Sequence, residues 1–69
     1  MKIKYFPDTD TLLVTFNDNP VAETTDLSEN ALVDLDAHGR LVSLTLEHAT
    51  RQTDVNDFSF QHAAAPGTA

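Results

Sequence analysis

The stretch ALVDLDAHGRLVSLTLE, residues 31–47, decides the architecture. Ala31, Val33 and Leu35 alternate with Leu32, Asp34 and Asp36. After a short polar break, Val42, Leu44 and Leu46 alternate with Leu41, Ser43 and Thr45. A period of two marks a β-strand whose alternate side chains point to opposite faces. Between the runs lies Asp36-Ala37-His38-Gly39. Glycine takes a positive φ at no steric cost, as a type I turn closed by a bulge requires. The stretch is therefore predicted to be a β-hairpin, with Gly39 as its structural turn residue.

The same reasoning extends toward the N-terminus. Ile3 and Tyr5 alternate with Lys2 and Lys4, and Leu12, Val14 and Phe16 alternate with Leu13, Thr15 and Asn17. β-branched and aromatic residues suit a pleated, half-buried surface. Pro7-Asp8-Thr9-Asp10 separates these runs. Proline presets its φ and aspartate can bond amides two residues ahead, so a second hairpin is expected. Leu13 breaks strict alternation and gives its strand apolar contact on both faces. Leu44 and Phe16 are expected in the inner core. Asn17 to Pro20 forms the next turn, a weaker strand runs from Val21 to about Asp26, and Ser28-Glu29-Asn30 turns again.

Residues 50–61 leave helix, strand and loop open. Thr53 could cap a short helical turn, and Phe58 and Phe60 alternate with Ser59 and Gln61 as a last short strand would. The fold expected is mainly β: a small antiparallel meander of five or six short strands, with one short C-terminal helical turn as an option. Residues 1–61 make a single small β-rich domain in this reading. The remaining HAAAPGTA, residues 62–69, is patternless and expected to be a disordered tail.

Composition narrows the function. With 69 residues, the chain buries only about 60% of the surface that its unfolded form exposes, so a lone monomer is marginal. There is no cysteine, which removes disulfides, thiolate metal sites and cysteine nucleophiles. Oligomerisation is the first remaining aid and metal binding the second, with a two-fold homodimer the simplest oligomer. Four Lys and Arg stand against eleven Asp and Glu, for a net charge of -7. That balance repels nucleic acid and anionic membrane surfaces and suits a basic protein partner. No apolar run approaches the roughly 20 residues of a membrane span. The start, MKIKYFPD, lacks a signal-peptide pattern, so a cytoplasmic location is expected.

KIKYFPDTDTLLVTF and NALVDLDAHGRLVSLTLEHA together resemble the bacterial family called domain of unknown function 2283. Its members open with K-I-x-Y, an acidic turn ending in Asp and an apolar pair. Lys2, Ile3, Tyr5, Asp10 and Leu12 fit that part. A later D-x-D-x-x-G-x-x-V segment and an alternating strand are matched by Asp34, Asp36, Gly39, Val42 and Leu44, then by Leu46 and Ala49. Ser43 and Thr45 stand where members often carry Gly and Glu. The resemblance covers roughly residues 2–50. It implies a small β-rich domain and carries no catalytic residues. It also implies an antitoxin-like partner of a basic toxin protein as one further alternative.

Few residues suggest chemistry. Asp8 and Asp10, with Asp18 across the hairpin mouth, are the only candidates for a hard-cation site. A calcium loop needs six to eight oxygens and usually a glycine and a distal Glu, which PDTDTLL lacks. Asp8 and Asp10 are therefore read as turn formers. Asp34 and Asp36 share a strand face, but acid–base work needs a cleft that raises one pKa. Asp36 is better explained by the turn and Asp34 by a solvated strand. His38, His48 and His62 have no ligand spacing. Ser28, Ser43 and Ser59 lack a nucleophile context. No catalytic, cofactor-binding or metal residue is assigned, and no cofactor is expected.

The positive signal is an apolar surplus. Tyr5, Phe6, Leu13, Phe16, Phe58 and Phe60 are too many for one face of a small sheet. Phe58 and Phe60 are the interface candidates; the alternative is that the C-terminal segment covers a second face within one chain. The function expected is a non-enzymatic, self-associating protein-interaction module. The alternative is a small-ligand or divalent-cation-binding domain using the acidic turns.

Overall fold

The structure, a computed structural model, describes residues 1–64. Five strands, β1 (Lys2–Phe6), β2 (Thr11–Thr15), β3 (Glu23–Ser28), β4 (Ala31–Leu35) and β5 (Leu41–Glu47), form one antiparallel sheet. A 3-10 turn, Ala49–Arg51, follows. The mainly β fold with a short C-terminal helical turn is as the residue pattern predicts.

The 31–47 stretch forms the expected hairpin of β4 and β5. The Gly39 N–H donates to the Asp36 carbonyl at 3.1 Å, and the Asp36 N–H donates to the Arg40 carbonyl at 2.9 Å. Gly39 has φ 78. Nothing lies within 4 Å of the place a Cβ would occupy, so conformation rather than space requires glycine. The Asp36 carboxylate accepts the His38 N–H at 2.8 Å and the Arg40 N–H at 2.9 Å, closing the turn from inside.

The strand order is β1-β2-β5-β4-β3. Neighbours are sequential within β1–β2 and within β3–β4–β5, but β2 pairs with β5 rather than β3. The connection from β2 to β3 therefore crosses one end of the sheet. It is held there by Asn17, whose side-chain amide donates to the Leu41 carbonyl at 2.9 Å, and by Asn19, which donates to Asp36 Oδ2 at 3.1 Å. β3 runs two residues later than the expected Val21 to Asp26, and a bulge between Asp26 and Ser28 interrupts it.

Of the alternatives left open for residues 50–61, no strand forms at Phe58 and Phe60, and the helical turn starts at Ala49 instead of near Thr53. The turn is placed by a distant partner: the Ala49 N–H donates to the Asp10 carbonyl at 2.9 Å. That anchor outweighs the local capping signal of Thr53. The tail expected over 62–69 lies partly outside the described residues; 62–64 are exposed and irregular.

Registers assign the faces, since residues directly opposite in neighbouring strands point the same way. Ile3, Val14, Leu44, Val33 and Thr25 form one row across the sheet, and Tyr5, Leu12, Leu46 and Ala31 the next. This face is apolar. Lys2, Thr15, Ser43, Asp34 and Thr24 form a row on the other face, beside Lys4, Leu13, Thr45, Leu32 and Asp26. Leu13 thus faces outward near Leu32, as its break in alternation suggests. Among the described hydrophobic residues only Val33, Val42 and Ala49 are buried, and no large side chain among them is fully buried. Leu44 is half-buried, and Phe16, expected in the core, is 37% exposed. One layer cannot bury it. No described helix is long and apolar enough to cross a membrane.

Candidate functional site

The apolar face is the largest feature that the chain leaves without a partner. β5 occupies its centre, bonded on both sides, with Val42, Leu44 and Leu46 pointing to it by alternation. On the β1 side the face gains an apolar wall. Phe58 and Phe60 from the C-terminal segment line a groove with Met1 and Ile3, about 570 Å³ in volume. Phe58 is 65% and Phe60 68% exposed, so the segment flanks the sheet without covering it. On the β3 side no strand or helical turn of the described residues lies over the face. Leu27, in the bulge between Asp26 and Ser28, is 62% exposed, and Val21, ahead of β3, is 52% exposed.

The segment is rooted by a clasp at Asp10. This residue ends the Pro7–Asp10 turn in the left-handed region, at φ 53. Its carboxylate accepts the Tyr5 hydroxyl at 2.7 Å, the Thr50 hydroxyl at 2.7 Å and the Thr50 N–H at 3.1 Å. Ala49, beside Thr50, is 0% exposed. Gln52 adds a bond from its side-chain amide to the Glu47 carbonyl at 2.7 Å. Hydrogen bonding to Tyr5 and then to Thr50 holds the Asp10 carboxyl below the ordinary aspartate value. The same bond to Asp10, reinforced by burial and by its negative charge, pushes the Tyr5 phenol up. Both groups are driven away from neutral titration, the opposite of a poised acid–base pair. Asp10 ties one end of the chain to the other.

This geometry corrects the acidic-turn reading in detail. Asp10 turns the chain, but its side chain bonds Thr50 instead of an amide two residues ahead. That local bond is made elsewhere: by Asn17 to the Asn19 N–H, by Asp36 to the His38 N–H and by Asp54 to the Asn56 N–H. Asp8 is exposed in the turn. Asp18 follows β2 at the opposite end of that strand, about 17 Å away by strand rise, and cannot join Asp8 and Asp10. Among the described residues, no three His, Asp or Glu gather as a metal site would require.

Asp34 is not a solvated strand residue. It accepts the Thr24 hydroxyl at 2.6 Å and the Ser43 hydroxyl at 2.7 Å, bridging β3, β4 and β5 on the polar face. Those bonds hold its carboxyl low, Thr24 first. Asp36 is held low chiefly by the Arg40 N–H, against the raising effect of burial. The histidines stay apart: His38 is in the turn, His48 pairs Nδ1 with Asn30 Oδ1 at 2.8 Å, and His62 meets the Phe60 ring edge-on at 5.3 Å. His48 is left-handed, at φ 52, where the chain leaves β5 for the helical turn. The clasp partner Thr50 carries no local signal, because it lies 40 residues from Asp10, whereas Tyr5 belongs to the same hairpin.

A family model described as "Protein of unknown function (DUF2283)" matches residues 2–49. The chain belongs to this family. The matched span takes in all five strands and ends at Ala49, the buried residue at the root of the C-terminal segment; Phe58 and Phe60 lie beyond it. No curated protein and no solved structure matches the chain.

Proposed function

We propose that this DUF2283 protein is a non-enzymatic interaction module that self-associates by laying the apolar face of its sheet on a second copy. The observation that carries the reading is the uncovered face itself. Stable folds bury the hydrophobic side of a sheet against another layer, and the described residues supply none. Surface area supports the same reading. The chain exposes 5540 Å², whereas a compact monomer of 7.6 kDa exposes about 4,300 Å². The excess is shared between the uncovered face and the exposed C-terminal residues 56–64.

The sheet edges are poorer candidates. Symmetric pairing of two β1 edges about Ile3 sets Lys2 of each copy against Lys4 of the other, and pairing of two β3 edges brings the acidic residues Glu23 and Asp26 of both copies together beside a bulge. Like charges and bulges are the usual guards of an exposed edge. The two central rows contain no charged residue, and Glu23, opposite Leu35, is confined to one corner of the same face, so two copies of net charge -7 can approach over those rows. A paired molecule then presents an acidic exterior, to which a basic protein is the complementary partner.

Sedimentation equilibrium tests the reading. The wild-type chain is expected to be dimeric at micromolar concentration. Val14→Asp, at the centre of the face, is expected to abolish pairing, and Thr45→Asp, on the polar face, to leave it intact. A wild-type monomer would end the proposal. Calcium is expected to leave the melting temperature unchanged, because the Asp10 carboxylate is already bonded; a marked rise would favour the cation-binding alternative.

A further inference from the structure

The two edges of the sheet are unlike. β3 is interrupted by the bulge between Asp26 and Ser28, whereas β1 pairs with β2 from Lys2 to Phe6 without a shift. The ladder also fixes which backbone groups of β1 are free. The Phe16 N–H donates to the Val42 carbonyl at 2.8 Å, one step beyond the Thr15–Ser43 pair. Residues of an antiparallel strand bond alternately to one neighbour and the other. Phe16, Val14 and Leu12 therefore bond β5, and Thr15, Leu13 and Thr11 bond Lys2, Lys4 and Phe6 of β1. Ile3 and Tyr5 turn both N–H and C=O away from the sheet, and among the described residues no backbone group bonds them.

The side chains beside these free groups are sorted by face. On the apolar face, Met1 and Ile3 line the groove with Phe58 and Phe60. Val14, opposite Ile3 on β2, does not line it, so the groove follows the outer flank of β1 instead of the centre of the sheet. On the polar face stand Lys2 and Lys4, opposite Thr15 and Leu13, so neither meets a carboxylate across the strand. Asp18 shares a small pocket with Lys2. Lys4, whose Nζ lies 5.1 Å over the Phe6 ring, is the clearer cation.

We infer that the β1 edge binds an extended peptide segment of another protein, with apolar and acidic residues in alternation, as an added antiparallel strand. Peptide residues opposite Ile3 and Tyr5 exchange backbone bonds with them and send their side chains to the apolar face. The groove of about 570 Å³ receives those side chains. The residue between them stands opposite Lys4 in a non-bonded pair, where facing side chains approach most closely, and its carboxylate meets the ammonium. Backbone bonds give affinity in this mode and alternate side chains give selection. Charges act over roughly 8 Å at physiological salt, so Lys4 sets the local sign against the net charge of -7. The lysines that hinder pairing of two β1 edges thus favour an acidic strand. Pairing through the centre of the apolar face leaves the Ile3 and Tyr5 backbone groups free, so the inference stands apart from self-association.

Amide exchange followed by NMR on the whole chain tests this, with a capped peptide of alternating glutamate and valine as the probe. On binding, the Ile3 and Tyr5 amides are expected to become protected, while that of Lys4, already bonded to β2, changes little. A peptide of alternating lysine and valine should bind several-fold more weakly, and Lys4→Glu, at an exposed position, should reverse that order. Failure of the glutamate peptide to bind, or binding that protects β3 or leaves Ile3 and Tyr5 unprotected, would overturn the assignment. Equal binding of the two peptides would overturn the acidic chemistry of the partner. Protection of Ile3 and Tyr5 in the protein alone, rising with its concentration, would give the edge to a second copy and end the proposal.

Discussion

Single residues carry conformations that their neighbours cannot replace. Gly39, at φ 78, holds the β4–β5 turn open-sided, so a side chain there meets strain without collision. Gly39→Val is expected to destabilise by about 1 kcal/mol or more, and Gly39→Asn by clearly less, in urea denaturation. Asp10 combines a left-handed backbone with a carboxylate that serves two distant donors. Asp10→Asn keeps the backbone tolerance and removes the charge. Because the folded carboxyl titrates below its unfolded value, its contribution is present above that value and is lost as pH falls through the folded one. The wild type should lose stability below about pH 4, the unfolded aspartate range, and the variant should lose less on the same acid limb. The sole tyrosine gives a second readout. Tyr5 should titrate above 10.0 by absorbance in the wild type and move back toward it in Asp10→Asn. Above the unfolded phenol value, rising pH should loosen the clasp as Tyr5 ionises. Asp8→Asn should change neither curve.

At the scale of elements, position in the sheet sets stability. β5 is bonded by β2 and β4, whereas β1 and β3 each have one neighbour. Amide exchange should be slowest in β5 and fastest along β3, whose six residues are all exposed. Equal protection of β3 and β5 would contradict this order. The bonds from Thr24 and Ser43 to Asp34 tie that weak edge inward. Ser43→Ala, at a buried position, should cost about 1 kcal/mol and raise exchange in β3. The hairpins were legible from the run 31–47 and from Ile3 to Phe16 because alternation and turn chemistry are local properties. The Asp34 bridge was not, because Thr24 and Ser43 become its neighbours only after three strands are in register.

For the whole molecule, one sheet with one apolar face is an incomplete core. A second copy would supply the missing layer, and stability should then depend on concentration. At a protein concentration 100-fold above the dissociation constant, pairing stabilises by roughly 2.7 kcal/mol. The melting temperature of the wild type should therefore rise across a dilution series read in reverse, and that of Val14→Asp should stay flat. Phe58→Ser/Phe60→Ser should weaken pairing while leaving the far-ultraviolet spectrum of the sheet unchanged, since no strand contains these residues.

The sequence by itself determined the strands, the Gly39 turn, the lack of disulfides and the acidic balance, because each depends on residue type and on spacings shorter than one hairpin. Only the tertiary structure decided which strands meet. Nothing in β2 announces that it will pair with β5, and nothing near Thr53 shows that the helical turn will form four residues earlier on an anchor at Asp10. Phe16 alternates as a core residue should, yet stays partly exposed because burial depends on a second layer and not on period. Local pattern fixes the direction in which a side chain points. Contacts between distant segments fix what it meets there, and their loop-closure cost and gain are settled by the whole chain together.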